Sequence, residues 1–319
     1  MTHKERFIKT LKREHVPGYV PTFELAFYLT METLGRVSPH QRAFYQWNQM
    51  SNNEKEAHMA DMADTYIKIA ERYGHSAIFV HPNPGDLNNT VRLLTKIREL
   101  SNDEYYICMH GDPTYSIPDG SHMMEFSERL YDDPDSLVAE QEKAMNNMLD
   151  FADKINKTGQ LLDGFTLCSD YSFNDNSFFR PEIFADVIAP VLSKCLDSYR
   201  KMGFYTIKHT DGNIMPIVDM IIECKPDALH SIDPQGGVDL KYMINKYGDQ
   251  VAMCGNVCCA LLMRGTEQEI TNEVMRSLRD GMSRGKGYIF CTSNCIFTGL
   301  PLENYELMMK LYREHGEYK

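Results

Sequence analysis

Four apolar runs in the last third of the chain each close on a residue that can bind a metal or move a proton. They are Phe204-Tyr-Thr-Ile-Lys-His209-Thr-Asp211, Asp227-Ala-Leu-His230-Ser-Ile-Asp233, Val251-Ala-Met-Cys254-Gly-Asn256 and Tyr288-Ile-Phe-Cys291-Thr-Ser-Asn-Cys295. Each of the first three is followed by a helix-like stretch of about 10–18 residues, the period of a βα unit. Successive parallel strands ending in His, Asp and Cys describe the mouth of an α/β (β/α)8 TIM barrel, where that fold keeps its chemistry.

The same alternation extends upstream. Thr2 and Ser51 each precede a glutamate by three residues, the mark of a capped helix start. Strands are expected over 19–25, 76–80, 104–109 and 161–168, and helices over 51–73, 88–100, 134–157 and 181–201. Residues 26–50 are aromatic-rich and irregular. They read as an N-terminal insertion, either a lid over one end of the barrel or a packed satellite cluster around Trp47. No Ser/Gly-rich linker or shift of composition divides the chain, so 1–319 reads as a single domain.

A net charge of −12 opposes nucleic acid or an anionic membrane as partner. No apolar run reaches the length of about 18 residues that a transmembrane helix requires. The N-terminus reads Met-Thr-His-Lys-Glu-Arg with no apolar core after it, and nine cysteines are an odd number for a disulfide framework. A cytoplasmic protein with reduced thiols is the expectation.

His209 and Asp211 stand two apart at a strand end, so both can point the same way. Cys291 and Cys295 sit at the end of the last run and in the loop after it. In a closed barrel the last strand lies near the first, which brings Glu24 to the same space. A mixture of imidazole, thiolate and carboxylate is what zinc favours. Cys254 and Cys291 read either as core thiols or as ligands, and His230 either as an internal hydrogen-bond partner or as a substrate contact. Asp170 and Asn174 serve equally as substrate contacts or as loop caps. Glycine-rich phosphate loops and a serine nucleophile elbow are absent from the sequence.

Several segments together resemble the uroporphyrinogen decarboxylase superfamily: His209-Thr-Asp-Gly-Asn213, Leu229-His-Ser-Ile-Asp233-Pro, Cys254-Gly-Asn256-Val, Phe179-Arg-Pro181-Glu-Ile-Phe and Gly299-Leu-Pro-Leu-Glu303-Asn304. The likeness is good over roughly 160–319 and weak over 1–150. Within the superfamily the chain resembles the zinc-containing, corrinoid-dependent methyltransferases more than the true decarboxylases. Decarboxylases carry arginines in the first-strand segment, and here Val20 to Tyr28 contains no Arg or Lys. A polycarboxylate bound there would lack charge-assisted hydrogen bonds worth about 1.5–3 kcal/mol each.

The methyltransferase branch typically binds zinc through a His-x-Cys pair and a later Cys. The resemblance implies His209, Cys295 and, in place of the middle Cys, Asp211, with Cys291 as a further candidate. It implies Glu24, Asp170 and Tyr171 as catalytic residues. Phe23, Asn174, Phe178, Phe179, His230 and Asn256 would bind a small methylated substrate such as a methoxy compound. The methyl acceptor would be a corrinoid carried on a separate corrinoid protein. A homodimer is compatible with this reading, and tetrapyrrole decarboxylation is its alternative.

Overall fold

The computed structural model describes residues 1–318. Seven parallel strands form one curled sheet in sequential order: β1 (Ala77–Val80), β2 (Tyr106–His110), β3 (Gly164–Cys168), β4 (Tyr205–His209), β5 (Ala228–His230), β6 (Ala252–Val257) and β7 (Tyr288–Thr292). Parallel neighbours need crossover connections, which the helices supply. These include Leu87–Leu100, Pro134–Asn156, Ala189–Lys201, Leu240–Tyr247 and Glu267–Gly281. The strands are apolar on both faces because helices cover one face and the sheet's own concavity covers the other.

The eighth strand expected over 19–25 is not formed. Its place between β7 and the start of β1 is taken by an extended segment making single contacts. Thr22 bridges Phe290 in parallel, Phe290 N donates to Pro21 O at 2.9 Å, and Ser76 N donates to Thr22 O at 2.6 Å. Pro21 has no N–H to give, so a regular ladder cannot run through it.

Two cores result. The inner one holds Phe79, Tyr106, Cys108, Ile207, Cys254, Ile289 and Cys291, and the first helix (His3–Leu11) plugs it from below with Phe7 and Leu11. Phe7 stacks on Tyr106 at 4.6 Å and meets Phe23 edge-on at 5.5 Å. The outer core packs helices on the sheet's convex face. In strand register, Cys168 pairs with His209, His209 with His230, and His230 with Cys254. That row faces the concave side and puts both imidazoles at the C-terminal rim.

Residues 26–50 pack onto the body of the chain through Trp47. Trp47 is buried against Phe44, at 5.0 Å, and near His58 of the helix Asn52–Tyr73. The segment is tied to that helix by Arg36–Asp64 at 2.6 Å and Arg42–Asp61 at 2.5 Å. Asn83 donates to Pro39 O and Arg42 O from the loop after β1. No helix among the described residues is long and apolar enough to cross a membrane.

Candidate metal centre

The loops leaving β3, β4 and β5 are stitched together by backbone contacts. Tyr171 N donates to Thr210 Oγ1 at 3.1 Å, Asn213 N to Phe173 O at 2.8 Å, and Gly212 N to Asp233 Oδ2 at 3.1 Å. Gly212 has φ +78°, and a Cβ there would lie 2.4 Å from Ser172 O. A Cβ on Gly236 would lie 2.2 Å from the carbonyl carbon of Gly212. Glycine is required at both positions by this close approach.

This packing fixes Asp170, His209 and Asp211, whose ligating atoms all lie within 4.8 Å of one another. His209 Nε2 is 3.7 Å from Asp170 Oδ1 and 3.9 Å from Asp211 Oδ2. Asp170 is held in turn by Asp211 N, which donates to its Oδ1 at 2.9 Å. Asp211 accepts a short hydrogen bond from Asn294 Nδ2, while its Oδ1 is buried with no partner.

Electrostatics favour a cation here. Burial first, and then the neighbouring Asp170, push the Asp211 carboxyl up to about 8. Burial pulls His209 down to about 4 and His230 well below the usual imidazole value. Both rings are therefore neutral near pH 7, the form in which histidine binds metals. Their Nδ1 atoms are 2.7 Å apart, so one ring donates and the other accepts. When His209 donates Nδ1–H to His230, its Nε2 lone pair faces the two aspartates. A ligating imidazole needs such a partner on its other nitrogen.

Cys295 is half-buried, and burial followed by the charge of Asp211 raises its thiol to about 12. It stands beside the three-residue set rather than within it. Cys168 and Cys295 are half-exposed, while the other seven cysteines are buried. Imidazole, carboxylates and a nearby thiol make a donor set suited to zinc, and the unpartnered Asp211 oxygen needs a cation or a proton.

Other residues expected at the site lie elsewhere. Cys291 is fully buried in the inner core near Cys254 and Glu24, too deep to join Asp170, His209 and Asp211. Tyr171 faces the outer core, where its hydroxyl shares a 2.6 Å bond with Thr114 Oγ1 and its ring lies under Lys208 Nζ at 4.1 Å. Burial raises its pKa far above that of an ordinary phenol, so it offers no proton to the mouth. Asn256 is fully engaged, giving Nδ2 to Ile232 O and taking Arg276 on Oδ1. Phe23 packs beneath His230, with ring centroids 6.0 Å apart, and Phe179 is buried beside Tyr171. Phe178 is half-buried and edge-on to exposed Phe173.

Glu24 does reach the barrel interior. Its Oε2 accepts from Thr292 Oγ1 at 2.6 Å and from Thr292 N at 3.3 Å, while Oε1 has no partner. Burial pushes its carboxyl up to about 8. Asn174 lines a cleft of about 550 Å³ together with Asp211, Asp233, Arg264, Asn294 and Phe297. Sequence reasoning gave no role to Cys168 or Asn294, and Asp233 entered only as the close of an apolar run and in a family-like segment. The only signals for them were strand-end position and, for Asn294, adjacency to Cys295.

The family model of uroporphyrinogen decarboxylase (URO-D) matches residues 114–315. The chain belongs to that family. The match includes the β3, β4 and β5 loops and Cys295, and it leaves the first 113 residues outside. No curated protein is matched. Among solved structures, this URO-D family chain is similar to a methyltransferase from Methanosarcina mazei. The identity is 19%, the TM-score 0.72, and the alignment covers 98% of this chain and 99% of that one. It is also similar to a Listeria monocytogenes protein assigned as a vitamin-B12 independent methionine synthase. There the identity is 11% and the TM-score 0.50, with 94% and 95% of the two chains covered. At these identities the likenesses bear on the fold.

Proposed function

We propose that this URO-D family member is a zinc-dependent methyltransferase. It would move a methyl group from a small methylated substrate, such as a methoxy compound, to a corrinoid on a partner protein. The observation that carries this reading is the cluster of Asp170, His209 and Asp211 at the C-terminal rim, backed by His230. Cys295 completes the donor set from the loop after β7. A zinc ion bound there supplies Lewis acidity toward the oxygen or other heteroatom that bears the methyl group.

The chain's own residues do the rest. With His209 donating its Nδ1–H, His230 would hold the Nε2 lone pair toward the site. Asn294 fixes the Asp211 carboxyl, and the backbone N–H of Asp211 fixes that of Asp170. Glu24, its carboxyl raised by burial to about 8, holds its proton at neutral pH. The cleft beside Asp211 has room for a small molecule, and exposed Met263 and Phe297 stand on its edge.

Decarboxylation of a polycarboxylate is the less supported reading. Lys208 is committed to Asp112 at 2.7 Å, and Arg36 and Arg42 are committed to aspartates. Arg264 lines the cleft, but the segment 20–28 brings no cation. The test is transfer itself. Purified protein, a corrinoid protein reduced to cobalt(I) and a panel of O-, N- and S-methyl compounds should give the spectrum of a methylated corrinoid. Absence of conversion across the panel, with zinc bound, would overturn the proposal.

A further inference from the structure

Lys208 stands one residue before His209 on β4 and faces the other way. Ile207 belongs to the inner core, so alternation turns Lys208 to the convex side, where its side chain has no exposure at all. Lysine is almost never buried so completely unless its charge is matched. Here Nζ has three acceptors for its three N–H bonds: Asp112 Oδ2 at 2.7 Å, Ser169 O at 3.0 Å and Leu167 O at 3.4 Å. The Tyr171 ring, 4.1 Å away, closes another side.

These acceptors belong to the two strand ends next to β4 in the sheet. Leu167 and Ser169 flank the last residue of β3, and Asp112 lies just past β2. A second set of bonds spans the same segments. Thr114 gives both its N–H, at 2.9 Å, and its hydroxyl, at 2.6 Å, to Asp112 Oδ1, and so accepts from the Tyr171 hydroxyl. Ser169 Oγ donates to Thr114 O at 2.8 Å. Asp170 N donates to Ser116 Oγ at 3.0 Å, and Ile117 N donates to Asp170 O at 2.9 Å. Both backbone groups of Asp170 are therefore held by the loop after β2, and its carboxyl is held by Asp211 N.

A buried ion pair gains little stability over apolar residues of the same size, because its attraction must first offset the desolvation of both charges. Its distinctive effect here is directional. An apolar side chain at 208 would fill the space and leave the carbonyls of Leu167 and Ser169 free to turn. The ammonium fixes both, and with them the peptide that leads to Asp170. We infer that Lys208 and Asp112 are positioning residues of the metal centre: the buried pair sets the direction in which the end of β3 presents Asp170 to His209 and Asp211. The inference rests on the reading of those three residues as a metal centre, and not on the group transferred there.

The experiment measures zinc affinity of the full-length chain by competition with a chromophoric chelator, alongside urea unfolding. Lys208→Met with Asp112→Asn removes the two charges together, so neither is left alone in the core. This double variant should bind zinc at least about tenfold more weakly, as loss of a ligand's support does. Asp170→Asn should weaken zinc by itself. Adding the double substitution to it should then cost less than about twofold more, because the pair acts through Asp170. Ile155→Ala, in the last turn of the helix Pro134–Asn156, opens a cavity in the outer core and should lower stability while zinc affinity stays unchanged. Thr114→Val keeps both charges and takes one hydroxyl from Asp112; it should weaken zinc by a smaller factor, and it decides the matter if the double variant does not fold. Unchanged zinc affinity in the double variant, or in Thr114→Val where that variant decides, would overturn the inference and leave the metal centre standing. So would a loss that simply multiplies that of Asp170→Asn, or an equal loss in Ile155→Ala. An unmodified chain that binds no zinc would overturn the metal centre and the inference together. Coupling of the pair to Asp170 without methyl transfer would sink the methyltransferase reading and leave the positioning role intact.

Discussion

His209 and His230, on adjacent strands and in register, face each other through their Nδ1 atoms at 2.7 Å. Two neutral imidazoles joined this way have one proton between the paired nitrogens. Its position decides whether His209 Nε2 turns a lone pair or an N–H toward the aspartates. Replacing His209 by Ala should abolish stoichiometric zinc binding. His230→Leu should keep the site but weaken it about 10–100-fold, as loss of a ligand's hydrogen-bond partner does. Zinc per folded chain after dialysis against a graded chelator series is the measurement.

Cys295 is expected to become a thiolate only when a cation is present, because burial, and after it the nearby Asp211, raises its pKa. Cobalt(II)-substituted protein should show a thiolate charge-transfer band that Cys295→Ser removes. If His209→Ala and Cys295→Ser both retain one zinc per chain while folded, the ligand assignment is wrong.

Uroporphyrinogen should pass through unchanged. The residues 20–28 offer no cation for its carboxylates. A direct assay that yields coproporphyrinogen would refute this expectation.

Lys208 and Asp112 form an ion pair with neither side chain exposed. Lys208 also donates to Ser169 O, next to Asp170. Lys208→Met or Asp112→Asn alone should cost about 3–5 kcal/mol, because each leaves a buried charge without its partner. The double variant should lose less than the sum of the two. Urea unfolding of the three proteins gives the comparison.

The Glu24 carboxyl sits at about 8, against an ordinary 4.5, because it is buried. A group raised by folding holds its proton more tightly in the folded state. Its contribution is complete below the unfolded value and is lost as pH rises through about 8. Thermal stability should therefore fall between pH 5 and 9, and Glu24→Gln should flatten that slope. An unchanged slope would show that Glu24 ionises freely.

The parts of this structure that follow from local pattern were legible in the sequence. β4 and β7 could be read from apolar runs, and His209 and Asp211 from their position at a strand end. The first strand failed because Pro21 removes one donor from an otherwise strand-like run. The side chains of Tyr171 and Asn256 lie away from the cluster for another reason. Asp170 faces the rim and Tyr171 the outer core, and strict alternation is no guide once the chain has left the strand. Asn256 is claimed by Arg276 and Ile232 O, neither of which a local motif displays. Cys291 is buried in the inner core, and its depth along a tilted strand is set by register. The His209–His230 pair likewise exists only through register.

The contact of Gly212 with Ser172 on one side and Gly236 on the other has a consequence for how this surface can change. Three loops meet there with their backbones in close contact, and backbone N–H groups tie them to Thr210, Asp170 and Asp233. A substitution or insertion in any one loop must move the other two, and with them both aspartates. The segment 26–50, by contrast, is held to its neighbours by ion pairs and amide contacts that side-chain rotation can accommodate. Directed variation aimed at new substrates should therefore succeed first in that segment.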